Sequence, residues 1–273
     1  MGRGDGVADD GFLLAVAFAI GVYSTALGAG GAFLLTPLLL IRYPDAPPAT
    51  VAMASLCVVV VSSGLSAVQA VRDRRIDYPV VGVLLAVVVP MAVLGAWATS
   101  LVPRREFQIG FAAFMLLMAL YLLLPPRDRM LGVPRGWRRM ITDIEGDTFV
   151  YTFPLVPSLI AAAGASFISS LAGIGGGPFY TPLAIRVMRL PITLAVPIAH
   201  VVITALAISG LALYIATGHI GEPLRDAPWL VVGMLAANPL GRRLNRRLRD
   251  GPVVRLLVVG IVLVALRTAW GAW

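Results

Sequence analysis

The sequence contains no lysine, one cysteine and two histidines, and only 13% of its residues are charged. The single cysteine, Cys57, excludes an intramolecular disulfide and a cysteine metal cluster. A chain with so little charge that is also 59% hydrophobic does not fit a disordered protein or an ordinary soluble domain. It has no Gly-Lys-Ser/Thr phosphate-binding loop, and thus carries no signature of ATP binding.

Apolar runs of membrane-spanning length dominate the rest of the chain. They fall near residues 12–41, 48–71, 80–102, 106–124, 151–187, 192–217, 227–241 and 252–271. The net charge of +8 comes from arginines that cluster between these runs, as in the cytoplasmic loops of membrane proteins. This placement argues against a nucleic-acid partner. The sequence therefore predicts an all-α, multi-pass protein in a lipid bilayer.

Two glycine-rich motifs align without a gap at an offset of 145 residues. GAGGAFLLTPL begins at Gly28 and GIGGGPFYTPL begins at Gly173. Glycine and proline are poor helix formers. A broken helix is tolerated in a membrane only where the freed backbone is buried in protein or lines a cavity. Paired breaks at corresponding positions of two halves indicate the binding site of a transporter.

The motifs divide the chain into two repeats, residues 1–124 and 150–273, joined by a polar linker over 125–149. If all eight apolar segments cross the membrane, each side receives 11 arginines. If the two broken segments are re-entrant, one side receives 16 and the other receives six, and the positive-inside rule favours this second arrangement. Three crossings then remain in each repeat, so the repeats are inverted, with both termini outside and the linker in the cytoplasm. The six arginines on the outer side of this second arrangement are Arg3, Arg42, Arg104, Arg105, Arg225 and Arg267.

A helix is expected to restart after Gly31 and after Gly177. The first N–H groups of such a helix have no internal partner and carry the positive end of the helix dipole. Two such ends would form an anion site without a buried arginine. The predicted substrate-binding residues are Gly28, Gly30, Gly31, Thr36, Ser55, Gly173, Gly175, Gly176, Gly177, Tyr180, Thr181 and His200.

Other interpretations of these residues stay open from the sequence. The glycines could serve only close helix packing. Tyr180 and His200 could be packing residues, and the hydroxyls of Thr36 and Thr181 could satisfy backbone groups freed by the prolines that follow them. At an offset of 145 residues His200 corresponds to Ser55, so the pair is expected at a similar depth in the membrane.

The chain resembles the TauE/SafE family of sulfite exporters, which is also described as a sulfonate-uptake permease family. The two motifs carry the resemblance, supported by the apolar stretch around Ser55 and by Arg75-Ile76-Asp77. The resemblance implies an inner-membrane carrier for sulfite, thiosulfate or organosulfonates. The first motif departs from the second at Ala32 and Phe33, where the second has Gly177 and Pro178.

Together these features predict a secondary transporter that moves a small sulfur-containing anion by alternating access around a midplane site. The alternatives are a passive anion channel and a non-transporting membrane assembly factor. An enzyme is not expected, because His200 has no candidate carboxylate partner at membrane depth. No cofactor or metal is expected, protons could accompany the anion, and the apolar outer faces could hide a homodimer interface.

Overall fold

The computed structural model describes residues 3–26, 34–123, 136–245 and 250–270. Over these ranges the chain forms ten α-helices and one two-stranded antiparallel hairpin. In chain order the elements are α1 (Arg3–Ala26), α2 (Leu35–Arg42), α3 (Pro48–Arg72), α4 (Tyr78–Leu101), α5 (Arg104–Leu123), β1 (Trp137–Thr142), β2 (Thr148–Phe153), α6 (Leu155–Leu171), α7 (Gly177–Arg186), α8 (Ile192–Ala216), α9 (Pro223–Asn245) and α10 (Asp250–Trp270).

The predicted apolar segments correspond to the observed helices. Helices α3, α4 and α8 are each long and apolar enough to cross a membrane. Shorter apolar helical stretches cover Asp10–Thr25, Leu155–Leu171 and Val258–Thr268. Prolines lie in the first turns of α3 and α4, where their fixed φ suits the start of a helix. The structure is thus mainly helical, as the sequence predicts.

A β-hairpin occupies the second part of the predicted linker region. Its strands β1 and β2 pair antiparallel over their whole length. Residues 151–153, predicted to begin an apolar helical segment, instead form the end of β2, and α6 begins at Leu155. The β-branched and aromatic residues of β2 favour a strand. Gly146, with a φ of 90°, lies in the turn between the strands.

The hairpin is attached to the α3–α4 connection through Asp77. The Asp77 carboxylate accepts hydrogen bonds from Arg139 Nη2 (2.8 Å) and Nε (3.0 Å), and from the Tyr151 hydroxyl (2.8 Å). It also caps α4 by accepting from the N–H of Val80. Burial raises the pKa of Asp77, but these hydrogen bonds outweigh burial, so its pKa is lowered.

Both apolar segments predicted to be broken contain two helices. α6 ends at Leu171 and α7 begins at Gly177. α1 ends at Ala26 and α2 begins at Leu35, and residues 27–33 between them lie outside the described ranges. In each repeat a long helix is therefore followed by a short one, of eight residues in α2 and ten in α7.

Helices α1 to α5 have counterparts in α6 to α10, and their packing repeats accordingly. α1 packs along α9, while α6, the counterpart of α1, packs along α4, the counterpart of α9. α3 packs on its own counterpart α8, and α5 packs on α10. The contacts of α3 with α9 and of α4 with α8 form a further matched pair. The two repeats are thus packed into one another rather than side by side.

Contacts at the helix ends define one face of the molecule, which we call the Asp226 face. Asp226, at the start of α9, accepts a hydrogen bond from Arg42 Nε at the end of α2 (2.9 Å). Arg104, at the start of α5, donates to the carbonyl oxygen of Leu40 (2.6 Å). The end of α2 and the starts of α5 and α9 therefore lie together.

The opposite face, which we call the hairpin face, holds the other ends of these elements. Arg186, the last residue of α7, donates to the carbonyl oxygen of Tyr121 (3.2 Å), close to the end of α5. The starts of α4 and α6 also lie on this face, because the hairpin leads into α6 and is bound to Asp77 directly before α4.

Helices α4 and α6 run parallel and in close contact. A Cβ at Gly95 would lie 2.3 Å from the carbonyl oxygen of Phe167, so only glycine permits this approach. One turn further along α4, the Thr99 hydroxyl donates to the carbonyl oxygen of Leu171 (2.8 Å). The counterpart pair α1 and α9 runs parallel as well. In that pair Gly233 lies against Leu14 and Gly241 lies against Val22, so the residue numbers rise together along the two helices.

Candidate functional site

The second glycine motif forms the break between α6 and α7. Gly173 has a φ of 65°, and its N–H donates to the carbonyl oxygen of Ser170 (3.0 Å). The next N–H, of Ile174, donates to the carbonyl oxygen of Ser169 (3.1 Å). This pair of bonds is a Schellman motif, which ends a helix at a left-handed glycine. Gly173 therefore has a structural role as the residue that stops α6.

Helix α7 begins directly after another left-handed residue. Gly176 has a φ of 78°, and its carbonyl oxygen accepts from the N–H groups of Phe179 and Tyr180 (both 3.0 Å). Residues 173–177 are buried. Within the part of the chain that the structure describes, the N–H groups of residues 175–177 have no acceptor. The start of α7 thus presents free backbone donors and the positive end of a helix dipole.

One face of α3 forms the wall against which this loop packs. A Cβ at Gly173 would lie 2.5 Å from the Cβ of Ala52. A Cβ at Gly175 would lie 2.5 Å from Cγ1 of Val59. Because Ala52 and Val59 are two helical turns apart, they lie on one side of α3. Glycine at both loop positions is what lets the backbone approach α3 so closely.

The first repeat reaches the same loop through α2. The Thr36 hydroxyl donates to the carbonyl oxygen of Gly173 (2.9 Å) and lies 3.0 Å from Oγ of Ser55 on α3. The side chains of Thr36 and Ser55 are fully buried. The structure thus brings together three predicted site residues from two repeats, although Thr36 and Gly173 are far apart in the sequence.

Two buried hydroxyl groups, one near the end of α6 and one on α7, lack hydrogen-bond partners among the described residues. They are Oγ of Ser169 and Oγ1 of Thr181. Ser169 is fully buried, and its Oγ lies 3.1 Å from the position of a Cβ at Gly176. A buried polar group left without a partner costs about 1–3 kcal/mol. Ser169 was not predicted, but the repeat contained a signal for it, because Ser24 occupies the equivalent position.

Tyr180 and His200 have partners close by. The Tyr180 hydroxyl hydrogen-bonds to Oγ of Ser166 and donates to the carbonyl oxygen of Ala162 (3.2 Å), so it binds α7 to α6. Nδ1 of His200 lies 2.8 Å from the carbonyl oxygen of Val196, one turn earlier in α8. A carbonyl only accepts, so Nδ1 carries the proton and Nε2 of the neutral ring is an acceptor.

The remaining predicted residues, Gly28, Gly30 and Gly31, lie outside the described ranges. Their part in a site stays a prediction. Gly177 is the first residue of α7, as expected from the restart of a helix at the motif.

A cavity of about 310 Å³ opens on the Asp226 face next to the α6–α7 break. Polar side chains in its wall include Thr99, Ser100, Arg104 and His219, with the exposed Asp45 on the same wall. The Thr99 hydroxyl connects the wall to the last residue of α6 through its hydrogen bond. One residue of the cavity wall is thus bonded directly to the end of α6.

A group of carboxylates that could hold a metal ion lies elsewhere, at the tip of the hairpin, and consists of Asp143, Glu145 and Asp147. Asp143 already has partners. Its carboxylate accepts from the N–H groups of Glu145 and Asp147 (both 3.0 Å) and from Arg75 (3.3 Å). These bonds give the cluster a structural role in shaping the turn.

Long apolar helices around a helix break with free backbone donors are typical of membrane transport proteins. The model of the sulfite exporter TauE/SafE family matches residues 13–268, and the chain belongs to this family. The resemblance carried by the glycine motifs is thereby confirmed. The chain is also 24% identical over 260 residues to the probable membrane transporter protein YunE of Bacillus subtilis (strain 168). That alignment covers 92% of this chain and 94% of the relative. No solved structure matches the chain.

Proposed function

We propose that the protein is a secondary transporter that moves a small sulfur-containing anion, such as sulfite, thiosulfate or an organosulfonate, across the plasma membrane. The observation that carries this proposal is the group of buried donors without partners at the start of α7. They are the N–H groups of residues 175–177 and the hydroxyls of Ser169 and Thr181. Sulfur oxyanions offer several acceptor oxygens to such donors. Membership in a family of sulfite exporters supports the choice of sulfur.

Helix ends suit an anion site inside a membrane. A charged side chain at the bilayer centre costs roughly 2.5–3.5 kcal/mol on insertion scales. A helix N-terminus provides about half a positive charge together with aligned N–H groups, without that cost. The first motif, at Gly28, Gly30 and Gly31, is proposed to lie beside this site, and Thr36, Ser55 and His200 to support it from the neighbouring helices.

We propose further that the broken segments are re-entrant. α6 begins at the hairpin face, and α7 ends there at Arg186. The contact of Tyr180 with α6 supports this, because α7 must then turn back alongside α6. In the first repeat, α2 ends beside Asp226 at the start of α9, and α1 runs parallel to α9. Both ends of that broken segment would therefore lie at the Asp226 face.

Three crossing helices then remain in each repeat, and the two repeats have opposite orientations. The side with 16 arginines corresponds to the hairpin face, which the positive-inside rule assigns to the cytoplasm. The linker and hairpin would lie in the cytoplasm, and the 310 Å³ cavity would open to the outside. Alternating access would open the site around the glycine loop first to one face and then to the other.

The membrane potential determines which direction of anion transport would need a coupled ion. An anion leaving a cell that is negative inside is favoured by roughly 2.3 kcal/mol per charge per 100 mV. Export would therefore need no proton, whereas uptake would need a coupled cation. A passive channel would use the same site without saturation or counterflow, and an assembly factor would show no stabilisation by anions.

The test is uptake of radiolabelled sulfite into proteoliposomes, with and without a pH gradient, in competition with thiosulfate, sulfate and a sulfonate. We expect saturable flux, with the competition order ranking the substrates. Gly176→Leu should abolish flux, because a Cβ there would lie 2.8 Å from the Tyr180 ring and would face Ser169. Gly82→Leu is the matched control, since Gly82 has open space around its Cβ position. Normal abundance and transport in Gly176→Leu would rule out the helix-end site.

A further inference from the structure

The repeat places equivalent polar side chains at the two helix breaks. At an offset of 145 residues, Thr36 corresponds to Thr181, and Ser24 corresponds to Ser169. Each threonine lies in the short helix after the break, and each serine lies near the end of the long helix before it. The two breaks therefore start from the same set of hydroxyl groups, and their partners can be compared directly.

In the first repeat these hydroxyls are engaged by protein groups. The Ser24 hydroxyl donates to the carbonyl oxygen of Ile20 (2.6 Å). The Thr36 hydroxyl bonds to the carbonyl oxygen of Gly173 and contacts Ser55. Both side chains are fully buried. These hydroxyls thus complete hydrogen bonds within the protein.

In the second repeat the equivalent hydroxyls are free. Ser169 Oγ and Thr181 Oγ1 are buried without a partner in the described part of the chain. The counterpart of Ser55 is His200, whose Nδ1 is bonded within its own helix to the carbonyl oxygen of Val196. Thr36 is thus hydrogen-bonded to Ser55, but the equivalent residues Thr181 and His200, both within the described ranges, form no such bond.

The Ser169 hydroxyl lies where backbone donors are also free, and Thr181 lies about one helical turn into α7. Ser169 Oγ is 3.1 Å from the Cβ position of Gly176, the residue that caps α7, and the N–H groups of residues 175–177 have no acceptor among the described residues. Buried donors without acceptors are unfavourable until a ligand supplies acceptors. A ligand that only accepts hydrogen bonds, such as an oxyanion, is suited to such donors.

We propose that the two repeats have different roles, and that the second repeat alone supplies the side-chain donors of a single oxyanion site. Thr181 and Ser169 bind the anion, whereas Thr36 bridges the repeats by holding the carbonyl oxygen of Gly173. This inference rests on the proposed function and specifies its site: each chain binds one oxyanion at the start of α7, and Thr36 attaches α2 to the loop before it.

Matched variants at equivalent positions test this assignment. Thr181→Val and Thr36→Val each remove one hydroxyl with little change in shape, and Ser169→Ala and Ser24→Ala form the second pair. We expect the second-repeat variants to raise the KM for sulfite about tenfold or more, the factor expected for one hydrogen bond to a charged group. Their melting temperature without anion should stay unchanged or rise, because an unsatisfied group is removed.

The first-repeat variants should behave in the opposite way. Thr36→Val should lower the melting temperature, because it leaves the carbonyl oxygen of Gly173 without its side-chain donor, and the KM should stay within about twofold. Ser24→Ala should also leave the KM unchanged. Equal increases in KM for Thr36→Val and Thr181→Val would overturn the proposal in favour of a site shared by both repeats. An unchanged KM in Thr181→Val would overturn it as well.

A second measurement separates this inference from transport itself. Sulfite should raise the melting temperature of the wild type and of Thr36→Val, but not that of Thr181→Val. If the wild type shows this stabilisation but no flux, the transport proposal fails and the one-sided site stands. If flux is saturable but Thr181→Val is stabilised as strongly as the wild type, transport stands and the one-sided site fails.

Discussion

Gly175→Ala tests how closely the glycine loop packs against α3. The added methyl group would lie 2.5 and 2.6 Å from the two γ-methyl carbons of Val59, well inside van der Waals contact. Gly175 also has a φ of 68°, which is strained for alanine. Both effects act against the native loop, so this small substitution should be strongly destabilising.

The magnitude follows from the two contributions. The left-handed conformation costs alanine about 1–2 kcal/mol, and overpacking adds about 1–3 kcal/mol. Val59→Ala alone removes two buried methyl groups and costs about 2 kcal/mol. In the double variant, the methyl group added at Gly175 fills space vacated at Val59, and mainly the backbone strain remains. The double variant should therefore be less destabilised than the sum of the two single variants by about 2 kcal/mol or more.

The assay is reversible denaturant unfolding in detergent micelles for the four proteins of this cycle. Gly164→Ala is the control, because Gly164 lies within α6 with open space around its Cβ position. Alanine there should be neutral or stabilise the helix by up to about 1 kcal/mol. Additive effects of Gly175→Ala and Val59→Ala would refute the reasoning, and so would a Gly175→Ala variant as stable as the wild type.

Three further predictions concern other parts of the molecule. Because the pKa of Asp77 is lowered, the hydrogen bonds it accepts should stabilise the hairpin above the ordinary carboxyl pKa of about 4 and be lost as the pH falls below that value. Amide protection factors in the hairpin, corrected for the intrinsic pH dependence of exchange, should then fall only in acid, and protection that stays constant throughout the acid range would contradict this. Tyr180→Phe should lower the unfolding free energy by about 1 kcal/mol, since α7 loses its hydroxyl contacts with α6; an unchanged stability would count against that role. In a Cys57→Ala background, an impermeant thiol reagent applied to intact cells should label a cysteine placed at Ile220 but not one at Ile144, and the reverse pattern would invert the proposed topology.

Several features of the fold could be predicted from local sequence alone. The apolar runs place α3, α4, α5, α8, α9 and α10, because a membrane helix needs a long apolar segment and little else. The clustered glycines of the two motifs place the two breaks, because several neighbouring glycines favour the end of a helix. The Thr-Pro pairs lie inside the short helices α2 and α7 instead. The repeat also predicts which helices have counterparts, since equivalent sequences fold into equivalent elements.

The hairpin was missed because its stability depends on a partner far away in the chain. In the sequence, the residues of β2 resemble the start of an apolar segment. In the folded protein, the Tyr151 hydroxyl is bonded to Asp77, which holds these residues in a strand. A short two-stranded hairpin is marginal by itself, so docking on the α3–α4 connection is what makes this strand assignment the stable one.

The candidate site likewise combines features that local sequence predicts with features that depend on distant partners. The second motif predicts from sequence that a helix restarts there and that glycine and threonine lie near the break. That Thr36 holds the carbonyl oxygen of Gly173, that Val59 packs on Gly175, and that the hydroxyl of Ser169 is left free depends on how the helices pack in three dimensions. The physical reason is that lipid is as apolar as a protein core, so a membrane helix is hydrophobic on all sides and its sequence does not mark the buried face. Which side chains meet is settled by how the helices pack.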